Sequence, residues 1–506
     1  MSGLTPKYEG TRQLLNQHHE KAIIFRHSHI AITDYHMGDN REFEKSLSVW
    51  DKIRWKYDLI GGYYVKPLKE FRVNRAFNVE QLKRFFPYYE IKVENCAYPY
   101  DNIDIKLINP PRDDIQRLTL TFMASEGKFK NNAKFTQQMI ELGVGTGKTY
   151  CGTAATAFLK SKTLVIVPLA KLLTQWKESF TMFTDVDEDD ILLVKGSKIC
   201  EQILEGKHKD KKVFIFMVDT IYSFNKRYGD IKTMNMLSAT RCHTKIVDEV
   251  HLDLKAISII EALSNFRMNY YMSASAGRTD GKENWMFKNL FTHIPRFGSN
   301  IQTKEEKHLN IMVKKYYFTP TSHQIKNMIN NKTGLNTKAY ETELRLSSEQ
   351  QRSNFEQQLQ VILNWTKKNL KEGNKIIVFG QSIEFLYYLQ TIIEKVFPDK
   401  TAVYYGGMKK NEKETALNND IIIATTASLG TGADIKGLQF GINCSTYSSW
   451  ISVKQISGRL RKLPDGTPTV YIEMVNFGYL KTVRQFEKRK PHLVKASKSG
   501  KILMVN

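Results

Sequence analysis

The sequence predicts an α/β protein in which two parallel-sheet domains stand in tandem behind a smaller α/β unit, and three observations lead there. Short apolar runs of strand length, among them Thr163 to Val167 (TLVIV) and Lys375 to Phe379 (KIIVF), alternate with amphipathic helices, the pattern of a parallel sheet covered on both faces. The alternation runs through two successive series, the second starting with a helix capped near Ser348. Only the first series carries a glycine-rich loop, Leu142 to Tyr150 (LGVGTGKTY), between an apolar segment and an alanine-rich helix.

Composition narrows the function. At 506 residues and 41% hydrophobic content the chain has material for about three cored domains. Lys and Arg number 75 against 52 Asp and Glu, and the net charge of +23 calls for a polyanionic partner. The charge is spread along the chain, not gathered on one amphipathic helix, which favours nucleic acid over a membrane surface. Five cysteines (Cys96, Cys151, Cys200, Cys242, Cys444) form no CxxC pair, so a zinc ribbon, an iron–sulfur cluster and a disulfide framework are not indicated, and a reducing compartment is. The first residues, MSGLTPKYEG, lack the apolar core of a signal peptide and no run approaches membrane-spanning length. The expected location is cytoplasmic, in the host cell if the chain is viral. No internal repeat stands out.

Residues 1–105 have their own rhythm: a strand over Ala22 to Ile32, a helix marked by Phe43, Leu47 and Trp50, extended character from Tyr63 to Val73, and a helix with Val79, Leu82, Phe85 and Phe86 on its apolar face. Asn78 and Gln81 suit a capping box for that helix, Pro87 ends it, and the strand Tyr88 to Val93 completes a β-α-β-β-α-β outline. Cations and aromatics interleave here (Arg54, Trp55, Lys56, Tyr57, Lys66, Lys69, Arg72, Arg75, Lys83, Arg84), either for phosphate contact and base stacking or as core aromatics with a solvated rim. The unit reads as separable, so its removal is expected to spare basal hydrolysis. Asn109-Pro110-Pro111 marks the linker into a first parallel-sheet domain over 106–300; a second follows over 301–482, and 483–506 reads as a basic tail.

In the loop, Gly143, Gly145 and Gly147 free the backbone, together with Val144 and Thr146, to point amide N–H groups at phosphate, and the following helix adds its N-terminal end. Lys148 supplies a full charge, and Thr149 a hydroxyl able to complete a Mg2+ shell. Leu142 stands where the strict GxxxxGK[ST] pattern has its first glycine. Downstream, Thr244 to Val247 leads into Asp248-Glu249-Val250-His251. Ligands of a parallel sheet gather at such strand ends. Asp248 suits the metal, through water, opposite Thr149, and Glu249 the polarisation of the water that attacks the γ-phosphate. The second series offers arginines able to reach the nucleotide of the first, so ATP is expected in a cleft between two domains.

The order and spacing of these segments resemble a superfamily 2 helicase over residues 112 to 480. In that likeness Gln116 corresponds to the adenine-reading glutamine, LGVGTGKT to motif I and DEVH to motif II; Ser273 and Ser275 fall in motif III, Thr426, Gly432 and Asp434 in motif V, and Gln455 opens motif VI. Arg278, Asp280 and Gly281 after motif III, the non-glycine at Leu142 and the small leading unit look most like the bacteriophage branch-migration helicases of the UvsW type, although the Arg-x-Asp-Gly element also resembles XPB. The resemblance implies two RecA-like domains and an ATP- and Mg2+-dependent DNA helicase or translocase acting on forked or four-way DNA, with single-stranded DNA as a further partner. It implies that Lys148, Glu249, Arg459 and Arg461 serve hydrolysis; that His251, Ser273, Ser275, Gly432, Asp434 and Gln455 couple it to motion; and that Thr220 and Thr426 grip the strand. The alternatives are an RNA-dependent ATPase and a nucleic-acid-binding regulator with a nucleotide switch. In motif VI (QISGRLRK) the strict second cation position is Lys462, one residue beyond Arg461. A regular helix favours Lys462 by phase, and the planar guanidinium favours Arg461 by chemistry.

Overall fold

The computed structural model describes residues 21–51, 54–125, 136–143, 146–273, 281–298, 308–330, 334–429, 435–447, 459–460 and 462–505. It divides into two compact units, Met1–Gln302 and Thr303–Asn506.

The first unit opens with a five-stranded mixed sheet of β1 (Ala22–Phe25), β2 (His29–Ile32), β5 (Gly62–Val65), β6 (Glu70–Asn74) and β7 (Glu90–Val93), in the order β5-β6-β2-β1-β7. Among the described residues, strands β3 (Ser48–Asp51) and β4 (Lys56–Leu59) pair only with each other, as a separate antiparallel hairpin. The α/β outline is thus richer than periodicity indicates. The run Ala22 to Ile32 reverses at Arg26-His27-Ser28, where Arg26 turns inward to Glu70 and Glu94. Tyr63 to Val73 breaks at Lys66-Pro67-Leu68, since proline cannot extend a strand ladder. Trp50 lies on β3 because helix Arg41–Ser46 stops before it.

This sheet shares its interior with the parallel sheet that follows. Phe43, Phe71 and Phe77 belong to one buried cluster with Phe287 and Phe291. Polar groups cross the same boundary: Arg72 Nη1 donates to Ala262 O at 2.7 Å, Ser28 Oγ to Asn269 Oδ1 at 2.9 Å, and Asn74 Nδ2 to Tyr271 OH at 3.3 Å.

The first parallel sheet comprises β8 (Gln137–Glu141), β9 (Thr163–Val167), β10 (Ile191–Val194), β11 (Val213–Met217), β12 (Thr244–Val247), β13 (Met268–Ser273) and β14 (Arg296–Phe297), ordered β10-β11-β9-β12-β13-β8-β14. In the second unit, β15 (Leu309–Tyr316) precedes the short hairpin β16 (Ile329–Asn330) and β17 (Gly334–Leu335). Then come β18 (Lys375–Gly380), β19 (Thr401–Tyr404), β20 (Ile421–Thr425), β21 (Leu438–Asn443), β22 (Thr469–Asn476) and β23 (Leu503–Val505), giving the sheet β19-β20-β18-β21-β22-β15-β23. Counted within its own sheet, each order reads third, fourth, second, fifth, sixth, first, seventh. The chain therefore holds a structural repeat that its residue identities hide. Both sheets carry cores on both faces, as continuous apolar strands require.

The expected basic tail is corrected. Residues 483–506 contain most of helix Leu480–Ala496 and the edge strand β23, which pairs parallel with β15. Phe486, Arg489 and Leu493 recur at helical spacing and are buried, a stripe that the flanking lysines mask in composition. Among the described residues no helix is long and apolar enough to cross a membrane.

Candidate active site

Strand β8 delivers the chain to Leu142 and Gly143, and helix Lys148–Leu159 leaves from the other side of the loop. Val144 and Gly145 lie outside the described residues. Gly147 caps the helix at φ +90°, and a Cβ there would overlap the Gln116 side chain, so the position needs glycine twice over. Lys148 Nζ donates to Leu142 O at 3.2 Å and lies 3.9 Å from Glu249 Oε1. Thr146 Oγ1 donates to Gly143 O at 2.8 Å. Gln116, buried in the first turn of helix Asp114–Ala124, braces the loop: its Nε2 donates to Thr146 O at 3.3 Å while its Oε1 accepts from Arg112 N at 3.0 Å.

Asp248 follows the end of β12 and is buried. Its Oδ2 accepts from Trp176 Nε1 at 2.9 Å and its Oδ1 from Glu249 N at 2.9 Å. Trp176 is wholly buried against Gly152, where any side chain would overlap the indole. Burial, and then the neighbouring Glu249 charge, push the Asp248 carboxyl up to about 6, against the opposing pull of Lys148 and the indole N–H. Glu249 holds a left-handed backbone at φ +46°, rare for a residue with a side chain and concentrated at functional sites. Its Oε2 is buried and makes no hydrogen bond among the described residues. His251 Nδ1 is 3.3 Å from that oxygen and 2.8 Å from Ser273 Oγ at the end of β13, so the motif II histidine meets the motif III serine.

Two adjacent carboxylates, one buried and raised, form a site that a divalent cation would relieve, and Thr149 supplies a hydroxyl on the neighbouring helix, 3.5 Å from Gln175 Nε2. Among the described residues no cluster of three or more His, Cys, Asp or Glu is placed to hold a metal by itself. Magnesium fits that pattern, since it usually keeps waters and substrate phosphates beside one or two protein ligands.

The remaining predicted residues divide. Ser275, Gly432, Asp434, Gln455 and Arg461 lie outside the described residues. Thr220 is buried and its Oγ1 accepts from Gly196 N at 3.2 Å; Thr426 is buried and its Oγ1 accepts from Gln381 Nε2. Neither is an open surface hydroxyl. Arg459 is half-buried in a turn, Leu460 is buried, and Lys462 is exposed.

Sequence reasoning missed the supporting residues. Trp176 reads as part of an apolar helix face, and periodicity does not reveal its N–H. Glu341, wholly buried, accepts from Gln381 N at 2.9 Å and Ser382 N at 2.7 Å, holding the loop whose Gln381 side chain reaches Thr426; burial raises its carboxyl to about 7. No local pattern marks it.

Fold and site together give two parallel-sheet domains, the first with a glycine-capped loop whose lysine faces a carboxylate pair. The family model for the type III restriction enzyme res subunit matches residues 108–276, and that for the helicase conserved C-terminal domain matches residues 353–463. The putative helicase 161L of Invertebrate iridescent virus 6 is 25% identical over 430 residues, covering 75% of this chain and 88% of that protein. The DNA 3'-5' translocase XPB2 of Sulfurisphaera tokodaii is 26% identical over 208 residues, 41% of this chain and 40% of that one. The solved structure of T4 UvsW aligns over 96% of this chain and 99% of its own at 17% identity, with a TM-score of 0.35. The two models fall on the two parallel-sheet domains, and with these relatives they support a superfamily 2 helicase, an ATP-dependent motor on nucleic acid.

Proposed function

We propose that the protein is an ATP-driven DNA translocase that remodels forked and four-way DNA. The observation that carries the hydrolytic part is the disposition of Lys148, Asp248 and Glu249. A lysine, a raised carboxylate and an unbonded carboxylate oxygen converge beside a glycine-capped helix N-terminus.

In this reading Lys148 and the loop amides hold the β- and γ-phosphates. Thr149 and Asp248 hold magnesium, which when bound neutralises charge on the phosphate oxygens. Glu249 orients the attacking water and takes up its proton; a protein that only switched on nucleotide would not need that carboxylate. Trp176 fixes the Asp248 carboxylate, and His251 relays its state to Ser273. Arg459 and Arg461 are the proposed trans-acting cations. Thr220 and Thr426 each follow the fourth strand of their own sheet, the same place in the two repeats. We assign them to ordering the loops that grip the strand, since their hydroxyls are already engaged.

DNA is favoured over RNA by the relative named for DNA translocation, and branched DNA by the motif likeness to branch-migration helicases. Strand displacement with ATP, on linear duplex, flap, fork, four-way junction and an RNA duplex, tests the assignment. Preference for fork and junction supports it; activity confined to the RNA duplex would replace it with an RNA helicase.

A further inference from the structure

We propose that the β3–β4 hairpin is a stacking platform for unpaired DNA bases, attached to the helices that follow the ATPase motifs of the first unit. This deepens the reading of the protein as a DNA motor and rests on it. Trp50 and Tyr57 face each other across the ladder with ring centroids 5.0 Å apart, and Trp55, two residues from Tyr57, lies 6.4 Å from Trp50. Trp50 thus has both other rings against it, and the three form one group at the turn end of the hairpin. Trp55 is 78% exposed and Tyr57 48%. Single exposed aromatics are common, but a set of three with cations around it is not required by folding. The hairpin root, through Val49, Leu59 and Ile60, already joins the core.

Two further observations point to a ligand. Trp55 sits at φ +51°, a conformation that a bulky side chain rarely adopts and that glycine or asparagine would hold with less strain. Cations frame the rings: Lys45 Nζ lies 5.2 Å from the Tyr57 ring centre, and Arg54 and Lys56 are exposed, with Arg54 only 3.8 Å from Asp51 as a partial counter-charge. Rings with cations suit a strand whose bases offer flat faces and whose phosphates carry charge. A paired duplex keeps its base faces inside, so the occupant is single-stranded DNA.

The attachment sets the hairpin apart from a loose loop. Isolated two-stranded hairpins are marginal in water. Here Asp58 Oδ1 accepts from Lys255 Nζ at 2.6 Å, and Lys255 belongs to helix Leu254–Leu263, just after the DEVH segment. Gly61, at the hairpin's base, lies so close to Met286 of helix Gly281–Leu290 that a Cβ would overlap its sulfur.

The test uses the full chain with W55A/Y57A and the conservative W55F/Y57F. Affinity is read by fluorescence anisotropy on oligo-dT and on blunt duplex across a salt series. The alanine pair should bind oligo-dT at least about tenfold more weakly, the loss of one stacked base. Its duplex affinity, salt slope and basal ATPase should match wild type, because no phosphate contact is removed, and the phenylalanine pair should restore oligo-dT binding. Wild-type oligo-dT affinity in the alanine pair, or equal losses on oligo-dT and duplex, would overturn the platform alone. A wild-type chain that binds neither DNA would overturn the motor reading with it.

Discussion

At the scale of single residues, the site is organised around a carboxylate that the protein buries and then supports. Trp176→Phe removes the N–H that fixes Asp248, together with the outer indole atoms that pack on Gly152. Loss of such a supporting hydrogen bond typically weakens metal affinity by about 10–100-fold. The magnesium concentration for half-maximal ATPase should rise by that order, beyond the drop in thermal stability that the smaller buried ring causes; an unchanged magnesium requirement would remove Trp176 from the site. Arg459→Ala and Arg461→Ala should each slow single-turnover hydrolysis on the order of 10³-fold, as loss of an arginine finger does, and Lys462→Ala should not. The opposite pattern for the last two would make Lys462 the second cation. Lys148, Asp248 and Glu249 were legible because their chemistry is local in sequence. Trp176 and Glu341 were not: the first looks like a core aromatic, and the second matters only because folding brings it to Gln381 and Ser382.

At the scale of elements, helix Leu480–Ala496 shows how charge can hide a core helix. Arg489 and Glu473 are both buried, and Glu473 also accepts from Tyr471 OH at 2.6 Å and Asn443 Nδ2 at 3.1 Å. Arg489→Ala would leave that carboxylate without its cation, at a cost of about 3–5 kcal/mol. Urea unfolding of the full chain should show an earlier transition; an unchanged profile would return the segment to the solvated tail its composition suggested. Strand-length apolar runs such as TLVIV were read correctly because buried parallel strands need no alternation. Turns inside longer runs, at Arg26 to Ser28 and at Lys66 to Leu68, were missed because the residues that cause them act through distant partners or short 3-10 geometry.

At the scale of the molecule, the tandem architecture followed from the two series of strands and helices. The identical strand order of the two sheets did not, since topology is conserved in space and not in residue identity. The leading sheet also departs from its expected independence. Deleting residues 1–105 would expose the Phe287 and Phe291 side of the first parallel sheet and remove the Ser28 and Asn74 hydrogen bonds of Asn269 and Tyr271. The truncated chain should aggregate or lose basal ATPase along with DNA processing, whereas a soluble, hydrolytically normal product would make that sheet a separable module. The central claim is that hydrolysis at Lys148, Asp248 and Glu249 is driven by DNA. Its most direct test is the steady-state ATPase rate of the full chain and of Glu249→Gln, titrated with single-stranded, duplex, forked and four-way DNA and with RNA. The account predicts a wild-type rate that rises with DNA, most with forks and junctions, and weakens steeply with salt, while Glu249→Gln binds ATP without turnover. A wild-type rate indifferent to every nucleic acid, or turnover that survives in Glu249→Gln, would contradict it.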